Sequence, residues 1–260
     1  MTHRPRKRFG QNFLHDRGII ERIIHLINPE PGQQLVEIGP GQGALTAPLL
    51  AAAGRLDVVE LDRDLIPLLR ERFADQGELL IHEGDALKFD FCAIARQKIR
   101  VTGNLPYNIS TPLLFHLMRH LHCIEDMHFM LQKEVVDRIT ARPGEKAYGR
   151  LGIMLGYYCT SDRLMTIGPG AFNPPPRVDS AIVRLIPHPV PPVTVNDVDH
   201  LSRLVAQAFS QRRKTIRNSM KGLLEQTQIE ALGIDPGLRP EQLTLAQFAA
   251  LANHITPIDK

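Results

Sequence analysis

The first part of the chain alternates between short apolar runs and longer amphipathic segments. Runs of this length, rich in β-branched residues, are typical of buried strands. They predict strands at Leu35–Ile38, Leu56–Glu60, Leu79–His82, Ile99–Thr102 and Phe129–Leu131. Helices are expected between them at 44–53, 64–73 and 111–120, the last with a capping residue at Ser110 or Thr111 and Pro112 at its first position. This alternation predicts βαβ units and a mostly parallel sheet.

The pattern changes after this region. Tyr157–Thr166 and Ser180–Leu185 are predicted as two further strands with no helix between them, typical of antiparallel edge strands that end a doubly wound sheet. The four prolines of Ile186–Val193 cannot continue a helix or a central strand. Beyond them only helices are expected, at Val198–Phe209, Thr215–Glu225 and Thr244–His254. We therefore predict an α/β domain over residues 1–188 and a small all-helical domain over residues 189–260.

Composition limits the class of protein without identifying it. The chain is 43% hydrophobic and 23% charged, with a net charge of +3, as expected for a globular protein. The three cysteines, Cys92, Cys123 and Cys159, lie far apart and show no metal-ligand spacing, which predicts buried thiols and no metal site. The sequence shows no signal peptide and no apolar stretch of membrane-spanning length, so we expect a cytoplasmic protein without a membrane partner.

A glycine-rich loop joins the first strand to the first helix of the predicted sheet. Within 36–44, Gly39-x-Gly41-x-x-Ala44 fits a dinucleotide fingerprint, and Glu37-x-Gly39-x-Gly41-x-Gly43 fits an S-adenosylmethionine loop. Glu60, at the end of the second strand, is expected to accept hydrogen bonds from the ribose hydroxyls of either cofactor. Asp85, after the third strand, can accept a hydrogen bond from an adenine amino group or cap a helix.

Asn104-Leu105-Pro106-Tyr107 follows the fourth strand, where the mouth of a cofactor site is expected in an open α/β sheet. An aromatic amine is a poor nucleophile because its lone pair is delocalised into the ring. The Asn104 oxygen and a main-chain carbonyl near Leu105 can accept both amino hydrogens and localise the lone pair, Pro106 fixes the carbonyl's direction, and Tyr107 can stack on the base. The tetrapeptide therefore favours methyl transfer to an aromatic amine over hydride transfer.

Two basic segments favour RNA as the partner. The first lies near the amino terminus and includes Arg6, Lys7 and Arg8. The second lies between Leu201 and Leu224, contains no acidic residue, and includes Arg212, Arg213, Lys214, Arg217 and Lys221. If this segment is helical, Arg213, Arg217 and Lys221 share one face and suit a phosphate backbone.

At this level of detail the chain resembles the KsgA-type rRNA adenine dimethyltransferases over nearly its whole length. The motifs that carry the resemblance lie at residues 6–14, 37–43, 59–62, 103–110, 131–134, 172–178 and 209–217. The resemblance implies a Rossmann-like, class I S-adenosylmethionine-dependent methyltransferase fold. It also implies that two adjacent adenines near the 3′ end of small-subunit rRNA each receive two methyl groups, within an immature 30S particle.

The resemblance also implies roles for individual residues. It places cofactor contacts at Asn12, Leu14, Gly39, Glu60, Asp85 and Asn104. It also implies that the target adenine is held near Asn104, Leu105 and Tyr107, with Phe172 stacking on the other face of the base. Phe172 precedes Pro174–Pro176, a rigid segment that can present an aromatic ring, although a phenylalanine beside a loop also suits a core.

Other functions stay open from the sequence. Within the same chemistry, the alternatives are a large-subunit rRNA methyltransferase of the antibiotic-resistance (Erm) type and a protein-glutamine or DNA-adenine methyltransferase. A nicotinamide-dependent dehydrogenase fits the glycine loop but leaves Asn104–Tyr107 and Phe172 unexplained. A ribosome-assembly checkpoint, in which binding matters more than catalysis, is compatible with enzymatic activity. No repeat or zipper suggests an oligomer, so a monomer is expected.

Overall fold

Strands and helices alternate along the described chain, which in the computed structural model comprises residues 12–255. The strands are β1 Phe13–Leu14, β2 Gln34–Ile38, β3 Arg55–Glu60, β4 Glu78–Glu83, β5 Ile99–Asn104, β6 Ile124–Gln132, β7 Cys159–Ile167, β8 Phe172–Asn173 and β9 Ser180–Pro187. The helices are α1 Arg17–Ile27, α2 Thr46–Ala53, α3 Leu65–Arg72, α4 Ser110–Leu117, α5 Lys133–Thr140, α6 Arg150–Tyr158, α7 Val198–Ser210, α8 Ile216–Ser219, α9 Gln226–Ala231 and α10 Leu245–His254. None of these helices is long and apolar enough to cross a membrane.

A seven-stranded sheet carries the predicted βαβ units, with strand order β4-β3-β2-β5-β6-β9-β7. The first five of these strands in that order pair in parallel, and β9 pairs with β6 in the antiparallel direction. Every residue of β2 is buried, as expected for a central strand covered on both faces. The predicted Rossmann-like α/β class, with parallel strands and an antiparallel strand near one edge, is confirmed.

The core beside this sheet is formed by apolar side chains from β2, β3 and the first three helices. Leu35 and Leu56 of the central strands belong to one buried cluster with Ile23 of α1, Leu49 of α2 and Leu69 of α3, and all five are at most 2% exposed. These positions recur at helical and strand spacing along the chain, which is why the sequence pattern predicted the elements. The packing fixes the strand ends that carry the polar residues described below.

Two local predictions were wrong. Ser110 is not a cap before a helix that starts at Pro112, because α4 already begins at Ser110 and the Ser110 hydroxyl donates to the carbonyl of Tyr107 at 3.2 Å. Tyr157 is not in a strand, because α6 continues to Tyr158 and β7 begins at Cys159. In both places the error is one of element boundaries, which local propensity specifies least well.

The described chain divides into two compact units. One comprises the residues up to Val136 together with Asp162–Pro187, and the other comprises Asp137–Ser161 and the residues from His188 onward. The break after Pro187 lies next to the predicted boundary at residue 188. Asp137–Ser161 was predicted as part of the α/β domain, but its side chains pack with the later helices. Tyr148 there donates to the carbonyl of Leu243 at 2.9 Å.

The basic segment of the second unit is not one helix. The prediction of a helix over Thr215–Glu225 was wrong, because α8 covers only Ile216–Ser219 and turns lie on both sides of it. Gly222, at φ 86°, follows in a left-handed conformation that a continuing helix does not contain. Arg213 and Lys221 therefore lie outside the helix, and the predicted row of Arg213, Arg217 and Lys221 along one helical face does not exist.

Candidate active site

Four consecutive parallel strands bring polar residues to one pocket. Gly39 follows β2, Glu60 ends β3, Asp85 follows β4 and Asn104 ends β5, and all four line the same cavity. Carboxyl ends of parallel strands meet at one edge of the sheet, which is where ligands bind in open α/β folds. The sequence-predicted residues Asn12, Leu14, Leu105, Pro106, Tyr107 and Phe172 line it as well.

The glycine loop turns back on itself after β2. Gly39, Gly41 and Gly43 have φ values of 67°, 56° and 83°, a region that side chains with a Cβ rarely adopt. At Gly43 a Cβ would also lie 2.7 Å from the ring of Phe73. The loop therefore needs glycine for its backbone and, at Gly43, for the close approach of α3. At Gly39, which lines the pocket, nothing lies within 4 Å of a Cβ position, so a ligand can approach the main chain there.

Two carboxylates on the next strands provide acceptors for a nucleoside. Glu60 is buried, and one of its oxygens accepts from the main-chain nitrogen of Asp62 at 2.7 Å. Burial raises the pKa of Glu60, and main-chain donors at Asp62, Gly41 and Leu61 oppose that rise. Asp85 is partly buried and accepts from the main-chain nitrogen of Leu87 at 3.0 Å. These contacts fix both carboxylates at the pocket, where Glu60 faces a ribose and Asp85 an adenine in the predicted arrangement.

Glu37 is a pocket residue that the sequence analysis used only as part of a motif. It lies in β2, is buried, and accepts a hydrogen bond of 2.6 Å from the Thr46 hydroxyl. Burial raises its pKa to about 7, opposed by the hydrogen bond from Thr46. The sequence signal that could have identified Glu37 as a pocket residue was its position as the acidic residue of Glu37-x-Gly39. The structure adds that this carboxyl shares the cavity with Glu60.

The Asn104–Tyr107 segment presents two acceptors to the cavity. The Asn104 side-chain nitrogen donates to the main-chain oxygen of Asn12 at 3.2 Å, which leaves the amide oxygen as the group for another donor. The carbonyl of Pro106 accepts from Ile109 at 3.2 Å, and that of Tyr107 accepts from Ser110. Among residues 12–255, the carbonyl of Leu105 receives no such bond. Both predicted acceptors therefore belong to pocket-lining residues and have no donor among the described residues, and their role toward an amine stays a prediction.

A small two-stranded sheet forms one wall of the cavity. Phe13 pairs with Asn173 and Leu14 with Phe172, and the main-chain nitrogen of His15 donates to Ala171 at 3.0 Å. Phe172 is only 3% exposed, so it is packed in the core and lines the cavity at the same time. Its ring is therefore held in place by core packing at the edge of the cavity, and stacking on a base stays a prediction.

The predicted RNA-contacting cations of the second unit are exposed, but they differ in their surroundings. Arg212 donates to the carbonyl of Lys146 at 2.7 Å and lies 3.8 Å from Glu241, and Arg217 donates to Gln226 at 3.1 Å. Arg213, Lys214 and Lys221 are exposed and make no ion pair within the described part of the chain. Arg6, Lys7 and Arg8 lie outside the described residues.

The cysteines differ from the sequence prediction. Cys92 and Cys123 are not free buried thiols, because the fold brings their Cα atoms to 5.6 Å and the two sulfurs form a disulfide. Cys159 is buried and forms no disulfide, as predicted. The ligand atoms of Cys92, Cys123 and the exposed His122 lie within 4.8 Å of one another. Spacing along the chain did not indicate this cluster, since the two cysteines are separated by 31 positions.

Together, the open parallel sheet, the glycine turn, the carboxylates on the neighbouring strands and the acceptor pair of Asn104 and Leu105 define a Rossmann-like methyltransferase. Comparison with known proteins defines the family. The family model described as ribosomal RNA adenine dimethylase matches residues 2–257. The chain therefore belongs to the ribosomal RNA adenine dimethylase family, whose members are S-adenosylmethionine-dependent methyltransferases.

Individual relatives agree with this membership. The chain is 60% identical over 255 residues to the ribosomal RNA small subunit methyltransferase A of Pseudomonas putida, covering 97% of this chain and 96% of that protein. It is 56% identical to the protein of the same name from a Marinomonas species, covering 97% of this chain and 96% of that protein.

Solved structures extend the comparison to the fold. A dimethyladenosine transferase from Plasmodium falciparum is similar at a TM-score of 0.76 and 27% identity, covering 92% of this chain and 95% of that one. The 23S rRNA methyltransferase ErmE is similar at a TM-score of 0.75 and 24% identity, covering 94% of this chain and 99% of that one. The similarity to ErmE shows a shared fold.

Proposed function

We propose that this protein transfers methyl groups from S-adenosylmethionine to the exocyclic N6 amino groups of two adjacent adenines near the 3′ end of small-subunit 16S rRNA, two methyl groups to each adenine. The observation that carries the proposal is the pair of acceptors from Asn104 and Leu105 in the same cavity as the glycine loop. The names of the relatives support the small subunit over the large subunit as the source of the substrate.

The pocket suits S-adenosylmethionine along its length. Gly39 leaves the main chain open to a ligand, Glu60 offers acceptors to a ribose, and Asp85 offers one to an adenine amino group. When bound, the cofactor supplies an electrophilic methyl group on a sulfonium. The apolar part of the wall, from Leu14, Leu105 and Phe172, excludes water from the place where the methyl group meets its acceptor.

The chain's contribution to the reaction is positioning and electrostatics. The Asn104 amide oxygen and the Leu105 carbonyl accept the two amino hydrogens of the target adenine, which localises the nitrogen lone pair. Tyr107 and Phe172 hold the base between them, so that the nitrogen is aligned with the donor. After the first methylation the amine keeps one hydrogen. The amine then rotates, so that this hydrogen is held by one acceptor and the nitrogen faces the donor for the second transfer.

The experiment is methyl transfer to small subunits that lack the modification, followed by mapping of the modified nucleosides. The wild-type protein is expected to modify two adjacent adenines, and to bind S-adenosylmethionine but not NAD in calorimetry. Asn104→Ala is expected to lower kcat by about 10²–10³-fold, because a preorganised acceptor at the reacting nitrogen is removed. Asn196→Ala removes an exposed asparagine outside the pocket and serves as the matched control.

Two results would contradict the proposal. One is an Asn104→Ala protein, folded by circular dichroism, that transfers methyl groups as fast as Asn196→Ala. The other is modification of large-subunit rRNA in preference to small subunits, which would favour the Erm-type alternative.

We also propose that the protein acts in the cytoplasm, as a monomer, on an immature 30S particle. Exposed cations of the second unit, Arg213, Lys214 and Lys221, support an RNA partner because none is committed to an ion pair within the described chain. Arg6, Lys7, Arg8, Arg212 and Arg217 remain further candidates for the same RNA. Light scattering of the purified protein measures its molar mass and so tests whether it is a monomer. Co-sedimentation with immature and with mature small subunits tests which particle it binds.

A further inference from the structure

Cys92, His122 and Cys123 form a cluster that the proposed methyl transfer does not use. Cys92 lies in a short 3₁₀ helix between β4 and β5, and His122 and Cys123 immediately precede β6. The side chain of Gln34, at the start of β2, donates to the carbonyl of Ile94 in the same 3₁₀ helix at 2.9 Å. The cluster therefore lies at the amino ends of the parallel strands, and none of its three residues lines the pocket.

We propose that Cys92, Cys123 and His122 form a binding site for Zn²⁺ when the two cysteines are reduced. Two thiolates and one imidazole are ligands that zinc prefers, and three protein ligands leave a fourth position for water. The three ligand atoms already lie within 4.8 Å of one another. In a tetrahedral site with zinc–sulfur distances near 2.3 Å, the two sulfurs stand about 3.8 Å apart, so small side-chain rotations open the site.

The surroundings of the cluster favour a cation. The carbonyl oxygen of His120 lies 3.1 Å from the sulfur of Cys123 and 3.5 Å from that of Cys92. The Asp90 carboxylate accepts from the main-chain nitrogen of Cys92 at 3.0 Å and lies 3.5 Å from Nε2 of His120, so it fixes the turn that presents this cysteine. These groups attract a metal ion and disfavour uncompensated thiolates, so binding of the cation and deprotonation of the thiols are coupled.

The disulfide and the zinc site are two states of the same pair. Thiols are kept reduced in a cytoplasm, and paired cysteines there bind metal more often than they form lasting disulfides. Oxidation by a low-molecular-weight disulfide removes two electrons from the two thiolates, joins Cys92 to Cys123, reduces the reagent to two thiolates that take protons from water, and releases Zn²⁺ with its charge unchanged. The site therefore binds zinc only in its reduced state.

The experiment measures zinc binding by the full-length protein under anaerobic conditions. Protein reduced with a phosphine and freed of metal is titrated with Zn²⁺ against a chromophoric chelator, and bound zinc is counted by elemental analysis. One zinc per chain is expected in the reduced protein and none after treatment with glutathione disulfide. Cys92→Ser is expected to abolish this binding, and His122→Ala to weaken it at least about tenfold, since one of three ligands is removed.

Two matched variants separate this site from other thiols and histidines. Cys159→Ala removes the cysteine outside the disulfide, whose pKa burial raises to about 12, and His25→Ala removes an exposed histidine of α1; both variants are expected to bind zinc as the wild type does. The proposal is overturned if reduced wild-type protein binds no zinc, if the oxidised protein binds it equally well, or if folded His122→Ala and His25→Ala bind it with the same affinity. His122 is exposed, so His122→Ala tests the site even if Cys92→Ser fails to fold.

Discussion

Glu37 shows how burial of a single group ties the stability of this protein to pH. Glu37 is 2% exposed, and the hydrogen bond from Thr46 does not offset the loss of water around the charged carboxylate. The pKa therefore rises from 4.5 to about 7. Between these two values the folded chain keeps a proton that the unfolded chain releases, so the free energy of unfolding falls as the pH rises through that window.

The Glu37→Gln variant is expected to lose much of this dependence, because glutamine keeps an acceptor for Thr46 but does not ionise. The shift of the Glu37 pKa from 4.5 to about 7 corresponds to a fall of about 3 kcal/mol in the free energy of unfolding between pH 5 and pH 8. Urea unfolding of the cofactor-free protein at both pH values measures it. Glu71→Gln, at an exposed position of α3, is the control and should follow the wild type. A loss of stability from pH 5 to pH 8 that is equal in Glu37→Gln and Glu71→Gln would refute the assignment.

At the scale of elements, the turn between β2 and α2 depends on a close contact as well as on backbone conformation. Gly43 and Gly54 have similar φ values, 83° and 77°. At Gly43 a Cβ would collide with Phe73, whereas at Gly54 nothing lies within 4 Å of one. The two positions therefore separate the cost of a left-handed backbone from the cost of crowding.

Gly54→Ala is expected to lower the free energy of unfolding by about 1–2 kcal/mol, the cost of a left-handed conformation. Gly43→Ala is expected to cost that amount and about 1–3 kcal/mol more, because α3 must move away from the turn. Chemical unfolding of the two variants measures the difference, and calorimetry should show weaker S-adenosylmethionine binding for Gly43→Ala alone. Equal losses of stability would mean that the Phe73 ring relaxes without cost.

Much of the fold was predictable because its elements follow periodic hydrophobic patterns. The strands β2 to β6 and the pocket residues at their ends were placed by short apolar runs followed by glycine or polar residues. The predicted helix over Thr215–Glu225 was wrong because a four-residue spacing of cations is not a hydrophobic period, and the left-handed Gly222 is incompatible with a helix that continues past it. The Cys92–Cys123 pair depends on strand order, which brings together residues that no local pattern links.

At the scale of the whole molecule, the chain assigns its proposed tasks to different units. The residues that line the pocket belong to the first unit, and the exposed cations Arg213, Lys214 and Lys221 belong to the second. Binding of such cations to phosphates releases counterions, so each neutralised phosphate makes the affinity more sensitive to salt. Removal of these cations should therefore change RNA binding without changing cofactor binding.

The double variant Arg213→Ala with Lys221→Ala tests this division. Its affinity for small-subunit RNA is expected to fall, and the slope of log Kd against log salt to become shallower by about 0.7–0.9 for each phosphate that the variant no longer neutralises. Arg22→Ala with Lys98→Ala removes the same charge from exposed positions of the first unit and is the control. Identical salt slopes for the two double variants, or a loss of S-adenosylmethionine affinity in the first, would contradict the division.

The pairing of β1 with β8 has a consequence for how the protein comes into being. Leu14 is synthesised early and Phe172 much later, yet they stand opposite each other in one wall of the cavity. A growing polypeptide therefore carries the glycine turn and Asn104 for a long interval before that wall can close. The wall can therefore close only after Asn173 of the 260 residues has been made, and a fragment that stops short of β8 leaves the cleft open on that side.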